Sequence, residues 1–234
     1  MIRVAGVDGA PNGWAVVSLG PDGATVQRVA RLADLFASGA AFDIVAVDTP
    51  MGLADAYETG GRLCDRLARA RLRTRGSSVF PAPARAVLAA ATYDEARAAS
   101  RASSPLGKAL TIQAWNIVPK IREADALLRE RPKLRDVLRE VHPELSFAAM
   151  AGAPLAVGKK TPEGRAARRG LLAPVFGDIE ALVAAGRAQG LPAEDVLDAA
   201  AISWSARRIA EGCSESLPDP PETDALGLRM AIWI

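Results

Sequence analysis

The chain is poor in the residues that build soft-metal sites and covalent cross-links. It has two cysteines and one histidine in 234 residues, and Cys64 and Cys213 stand far apart with no C-x-x-C spacing. Neither a zinc knuckle nor a disulfide framework is indicated, and each thiol reads as a small core or surface residue. An excess of one charge is also missing: 29 basic residues face 27 acidic ones, for a net charge of +2. The chain therefore lacks the global positive field of a dedicated DNA-binding protein, and any grip on nucleic acid has to be local. Long apolar runs are absent too. Charged or turn residues interrupt every stretch that approaches the roughly 20 apolar residues of a spanning helix, and the Met1 segment has no signal-peptide core. The expectation is a soluble, cytoplasmic protein with no membrane partner.

Half of the residues are apolar, enough to bury a proper core as one domain or as one domain with an insertion. Ile2 to Asp8 is β-branched and apolar, and Gly9-Ala10-Pro11-Asn12-Gly13 is dense turn chemistry, with proline fixing φ and Asn-Gly tolerating φ > 0. Trp14 to Leu19 then returns antiparallel, and Gly20-Pro21-Asp22-Gly23 turns the chain again into a third strand over Ala24 to Ala30. A short helical stretch from about Leu32 to Phe36 precedes the apolar run Phe42 to Val47, which reads as a strand covered on both faces and ended by Asp48-Thr49-Pro50. A β-β-β-α-β order lays the fourth strand parallel to the first and beside it. Asp8 and Asp48 then emerge at the same edge, where α/β sheets bind their ligands.

Residues 60–135 read as a mainly helical insertion before a fifth strand. Arg62, Arg66, Arg69, Arg71, Arg73 and Arg75 against Asp65 make a basic stretch, followed by the rigid loop Gly76-Ser77-Ser78-Val79-Phe80-Pro81-Ala82-Pro83. The stretch is either a solvated helix face or a phosphate contact beside a metal site, for which guanidinium forks are well suited. Helices are expected at Thr92 to Ala102 and at Leu106 to Glu130, the second interrupted or kinked at Pro119. Leu138 to Phe147 is expected as the fifth strand, breaking at Pro143. His142 and Glu144 flank that break; Glu144 is the better candidate for chemistry, because a lone histidine is more often a hydrogen-bonded structural residue. Gly158-Lys159-Lys160-Thr161 lacks the leading glycine of a phosphate loop. Lys159 and Lys160, with Arg165, Arg168 and Arg169, form a second basic cluster, either ordinary surface or a phosphodiester contact.

The last long helix is the best-marked element. Pro192 sits at its first turn, Glu194 and Asp195 complement the amino-end dipole, and Gly212 stops it. A spacing of three puts Asp195 and Asp198 on one face. The dipole alone accounts for Asp195, whereas Asp198 borders the apolar stripe of Ala199, Ile202, Ala206 and Ile209, where a bare carboxylate is costly. Something cationic has to neutralise it. Asp8, Asp48, Asp195 and Asp198 thus form a candidate carboxylate cluster for a divalent metal. Hard oxygen ligands without nearby cysteine or clustered histidine select Mg2+ or Mn2+ over zinc.

Together these segments resemble the ribonuclease-H-like superfamily, in which a mixed five-stranded sheet carries acidic residues on the first strand, the fourth strand and a late helix. Asp195-x-x-Asp198-Ala199 looks like the late helix of its Holliday-junction resolvase branch. Nearly the whole chain is similar to a bacterial and archaeal family of unknown function labelled as predicted ribonuclease-H-like nucleases. That similarity rests on Gly6-Val7-Asp8-Gly9 with Gly13-Trp14, Asp48-Thr49-Pro50-Met51-Gly52, Arg62-x-x-Asp65, Arg75 to Pro83, Glu140 to Phe147 and the Asp195/Asp198 helix.

The resemblance implies one α/β domain over 1–234, with a β-β-β-α-β-α-β-α order and a helical insertion before the fifth strand. It also implies a nuclease in which metal-activated water attacks a phosphodiester, with two ions roughly 4 Å apart clamping the attacking and leaving oxygens. Asp8, Asp48, Asp198 and Glu144 are then catalytic, and Asp8, Asp48, Asp195 and Asp198 hold Mg2+ or Mn2+. Arg62, Arg75, Ser77, Ser78, Phe80, His142, Lys159 and Lys160 would contact a nucleic-acid partner, with the chain alone or as a homodimer. Asp48 departs from the glutamate often found there, a shorter side chain that leaves open one ion or two. The alternative is a non-enzymatic module that binds nucleic acid, nucleotide or protein through the Arg62 to Arg75 and Phe80 surface. An actin-like nucleotide phosphohydrolase would need two such halves, and the chain has one.

Overall fold

Two tight turns set up the sheet. Asn12 takes φ 57° and Gly13 φ 152° between β1 (Val4–Ala10) and β2 (Gly13–Gly20), and Gly23 takes φ 102° at the start of β3 (Gly23–Val29). Both are backbone states that Gly and Asn adopt at low cost. A 3-10 turn over Leu32–Phe36, where the sequence placed its short helical stretch, leads to β4 (Ile44–Val47). β4 pairs parallel with β1 as expected, Val7 opposite Val47. A computed structural model carries this description, over residues 2–37, 39 and 41–234.

Between β4 and β5 (Leu138–Val141) the chain forms α1 (Leu63–Leu72), α2 (Tyr93–Ser103) and α3 (Ile112–Glu130). Beyond β5 come α4 (Pro143–Ala151), α5 (Pro162–Phe176), α6 (Ile179–Arg187) and α7 (Ala193–Ala210), then β6 (Ser216–Thr223) and β7 (Arg229–Trp233). The strands order as β3-β2-β1-β4-β5-β7-β6. β1, β4, β5 and β7 run parallel, with antiparallel strands on both sides.

The period-two alternation of the central strands decides which helix covers which face. Ala5 and Val7 of β1 and Val45 and Val47 of β4 pack with Ala124, Leu127 and Leu128 of α3. Val4, Ile44 and Ala46 point the other way, onto Ile202 and Ala206 of α7. Each buried Val, Leu or Ile among them stabilises the fold by about 1.5–3 kcal/mol. Gly6 shares the α7 face, and a Cβ there would lie 2.1 Å from the Ala199 carbonyl oxygen and from the Ser203 nitrogen. Only glycine lets α7 lie that close to β1.

Four expectations are corrected. The sheet has seven strands, not five: β6 carries Pro218, Pro220 and Pro221, tolerable only because it is an edge strand with a register shift between Leu217 and Glu222. The fifth strand stops at Val141, and Leu145 to Phe147 belong to α4. There His142 is the N-cap, accepting from the Glu144 N–H, and Pro143 occupies the first helical turn. The helix expected from Leu106 begins instead at Ile112, where the Thr111 side chain accepts from Ala114 N–H. It runs unbroken through Pro119.

Candidate carboxylate site

Asp8, Asp48 and Asp198 come together by three separate routes. The Asp48 N–H donates to the Val7 carbonyl at 2.9 Å, extending the β1–β4 pairing by one residue and setting Asp48 beside Asp8. By alternation Asp8 follows Val4 and Gly6, and Asp48 follows Ile44 and Ala46, so both lie on the face that α7 covers. Asp8 is still inside β1 and pairs with Ala15 of β2; the hairpin simply runs on past the end of β4. Asp198 sits on the buried face of α7, 3% exposed, one residue before the Ala199 that lies over Gly6.

The electrostatics record how close the groups are. Burial, then Asp198, Asp48 and Asp195, push the Asp8 carboxyl well above the ordinary range, against the pull of Lys159. Burial also raises Asp48, opposed by His142, Lys159 and a hydrogen bond with Asp8. Asp195 is pushed up to about 6 by burial and then by Asp198. Asp198 is raised by burial and held down by Lys159, whose Nζ lies 2.8 Å from its Oδ2. Lys159 is the cation that the apolar stripe of α7 demanded. Neither Asp8 nor Asp48 has an ion-pair partner among the described residues.

A cleft of about 430 Å³ opens beside these groups, with Asp8, Asp48, Lys159, Lys120, Arg75 and Phe80 among its walls. That volume suits a small ligand or a few nucleotide units. Asp195 and Asp198 are not part of its lining; Asp198 meets it through Lys159. Thr49 also lines it, and its Oγ1 is buried without a protein hydrogen-bond partner. Lys120, which sequence reasoning missed, holds its Nζ 4.0 Å from the Trp14 ring centroid, a cation–π contact. Its helical position on α3 was readable, but not the direction it faces.

The other sequence candidates divide. Phe80 is 42% exposed at the cleft. His142 lines it with both ring nitrogens engaged: Nδ1 accepts from Glu144 N–H at 3.2 Å, and Nε2 lies 3.2 Å from the Ser78 carbonyl. A carbonyl only accepts, so Nε2 carries the hydrogen and no lone pair remains for a metal. Glu144 is buried, its Oε1 2.5 Å from Arg168 Nη2 and 3.4 Å from Arg75 Nη2, and so reaches the cleft already neutralised. The Ser78 hydroxyl donates to the Arg75 carbonyl. Ser77 and Lys160 are exposed and do not line the cleft.

Arg62 is corrected outright. It is 4% exposed, forked onto Glu140 at 2.6 and 2.8 Å and paired with Asp65 at 2.7 Å, with Met51 and Gly52 carbonyls on its Nη1. It clamps the loop after Asp48 and is not open to substrate. The second basic cluster also dissolves into pairs: Arg168 with Glu144, Arg165 with Glu194 and Arg169 with Glu180.

Asp8 and Asp48 offer carboxylate oxygens, the ligand type a hard divalent ion takes, and the Thr49 side chain lines the same cleft. Among the described residues no group of three or more His, Cys, Asp or Glu side chains is placed to hold a metal ion. Among the same residues no helix is long and apolar enough to cross a membrane.

A model of the family described as "Protein of unknown function (DUF429)" matches residues 6–223. The chain belongs to that family. The DUF429 match spans the whole site, from Gly6 and Asp8 through Asp48 to Asp198. No curated protein and no solved structure matches the chain.

Proposed function

We propose that this protein is a metal-dependent phosphodiesterase acting on nucleic acid, with a ribonuclease-H-like architecture in which β6 and β7 extend the sheet. The observation that carries the reading is the convergence of Asp8, Asp48 and Asp198, from two parallel strands and a helix, into one buried group, where burial first, and then neighbouring carboxylates at Asp8 and Asp198, raise the carboxyl pKa values. A protein keeps such mutual repulsion where function requires it, as perturbed carboxylates concentrate at functional sites.

Asp8 and Asp48 would hold Mg2+ or Mn2+, which when bound supplies a lowered water pKa and stabilisation of charge on the phosphoryl oxygens. Lys120 and Arg75 stand in the cleft wall as cations that a phosphate could meet, the local contact that the near-neutral whole requires. Phe80 offers a face on which a base stacks. Hydrolysis breaks one phosphorus–oxygen ester bond while water adds to phosphorus.

The test is cleavage of labelled RNA, DNA, hybrid and junction substrates with Mg2+ or Mn2+. Asp8→Asn should lower the rate at least a hundredfold while the variant still unfolds in one cooperative transition. Intact substrates with either metal would remove the nuclease reading. A second reading, a binding module without catalysis, is favoured by the incomplete coordination group and by the lysine already seated on Asp198. It requires nucleic-acid binding, measured by calorimetry, that neither chelator nor Asp8→Asn diminishes.

A further inference from the structure

The Asp cluster is not filled evenly. At its Asp198 side a protein cation is already in place, Lys159 Nζ at 2.8 Å. At its Asp8 and Asp48 side there is no ion-pair partner among the described residues, and the adjacent Thr49 Oγ1, 3% exposed, finds no hydrogen-bond partner. An orphan buried hydroxyl in a cleft wall is costly unless something that enters the cleft engages it. Both observations belong to the wall of one cleft, which Asp8, Asp48 and Thr49 line and Asp198 does not.

Lys159 is not a wandering surface lysine. The residue before it, Gly158, accepts from Thr161 N–H at 3.1 Å and from Thr161 Oγ1 at 3.2 Å. Thr161 in turn caps α5. The Gly158 carbonyl packs so closely on α5 that a Cβ at Gly164 would lie 2.0 Å from it. The loop is pinned on both sides of Lys159, and this aims the ammonium at the carboxylates.

We propose that Lys159 is a positioning residue that replaces a second metal ion: it neutralises Asp198 permanently, and the site takes a single divalent cation, on Asp8 and Asp48. This rests on the metal-dependent reading above and deepens it. A lysine in that place gives a fixed charge that needs no metal loading, and it makes the site's cation count a property of one side chain. Lys159→Met keeps the length and removes the charge, and should leave Asp198 to recruit a second ion.

Mn2+ alone, without nucleic acid, is the probe. It is titrated by calorimetry, with the electron paramagnetic resonance signal of free Mn2+ as an independent count. One Mn2+ in the wild type and in Lys159→Arg, two in Lys159→Met, and one again in Lys159→Met/Asp198→Asn is the expected pattern, each variant first shown by its melt to be folded. Two ions in the wild type, or one in both wild type and Lys159→Met, overturns the proposal and leaves the metal-dependent reading standing. No ion in the wild type overturns both. Should Lys159→Met fail to fold, Lys159→Gln takes its place with the same expected count.

Discussion

The molecule buries two groups of acidic side chains, and it treats them in opposite ways. Around Arg62, two carboxylates share one guanidinium: Glu140 is forked at 2.6 and 2.8 Å, Asp65 is paired at 2.7 Å, and the Met51 and Ala82 N–H groups donate further bonds to Glu140 Oε2 and Asp65 Oδ2. Around Lys159, four aspartates share one ammonium, which reaches only Asp198 directly. The first group is matched in hydrogen bonds, although its one guanidinium balances only one of two carboxylates and burial pushes Glu140 up to about 7, and its product is a fixed loop after Asp48. The second is left in deficit. Buried carboxylates closed off by hydrogen bonds are architecture, whereas buried carboxylates without such partners, held in place by a closed neighbour, are candidates to take a cation.

Breaking the matched group should have the largest effect on stability. Arg62→Ala strands Asp65 and Glu140 without a partner and should cost about 3–5 kcal/mol, read as a drop in the denaturant midpoint at unchanged slope. A loss below about 1 kcal/mol would mean that this network is as inconsequential as a surface pair. The aspartate group should show itself in the pH dependence of stability. Carboxyls whose folded pKa lies above the unfolded value support the folded state fully below the unfolded value and lose that support as pH rises through the folded one. In chelator, stability should therefore fall as pH climbs from about 4 through about 6, where Asp195 titrates, and further as Asp8 ionises. Asp8→Asn should flatten the fall, and Mn2+ at neutral pH should reverse it. A melting temperature in chelator that rises over that interval for wild type relative to Asp8→Asn would contradict the deficit.

The two groups also differ in how legible they were. The meander, the turn at Leu32–Phe36, β4 and α7 followed from local signals, namely Asn-Gly and Pro-Asp-Gly turns, an apolar run and a capped amphipathic helix. The adjacency of Asp8 and Asp48 followed from the parallel crossover. What failed is what depends on context. His142-Pro143 reads equally as a strand break or as an N-cap and first turn, and the packing of α4 onto α7 through Ser146 and Ser205, at 2.8 Å, decides for the helix. The prolines of β6 hide an edge strand. The arginine stretch reads as a solvated helix face or a phosphate contact, and Arg62 is neither, because Asp65 three residues on forms the capping box with it. The need for a cation at Asp198 was visible from its apolar stripe. Its identity was not, because Lys159 lies on a distant loop and only the folded chain brings the two together.

The smallest effect expected is also the sharpest contrast, because it compares adjacent residues of one kind. Lys159 and Lys160 are indistinguishable in type and local sequence, yet one points into the cleft while the other is exposed and outside it. Lys160→Ala should change stability by no more than about 0.5 kcal/mol, as surface substitutions do, and should leave the Mn2+ count of the protein untouched. It removes the same formal charge from the same loop as Lys159→Met, so any effect of net charge on metal binding appears in both. If Lys160→Ala shifts the Mn2+ isotherm as far as Lys159→Met does, the effect belongs to the general field of the loop. If only Lys159→Met moves it, the 2.8 Å contact with Asp198 is what sets the occupancy of the cluster.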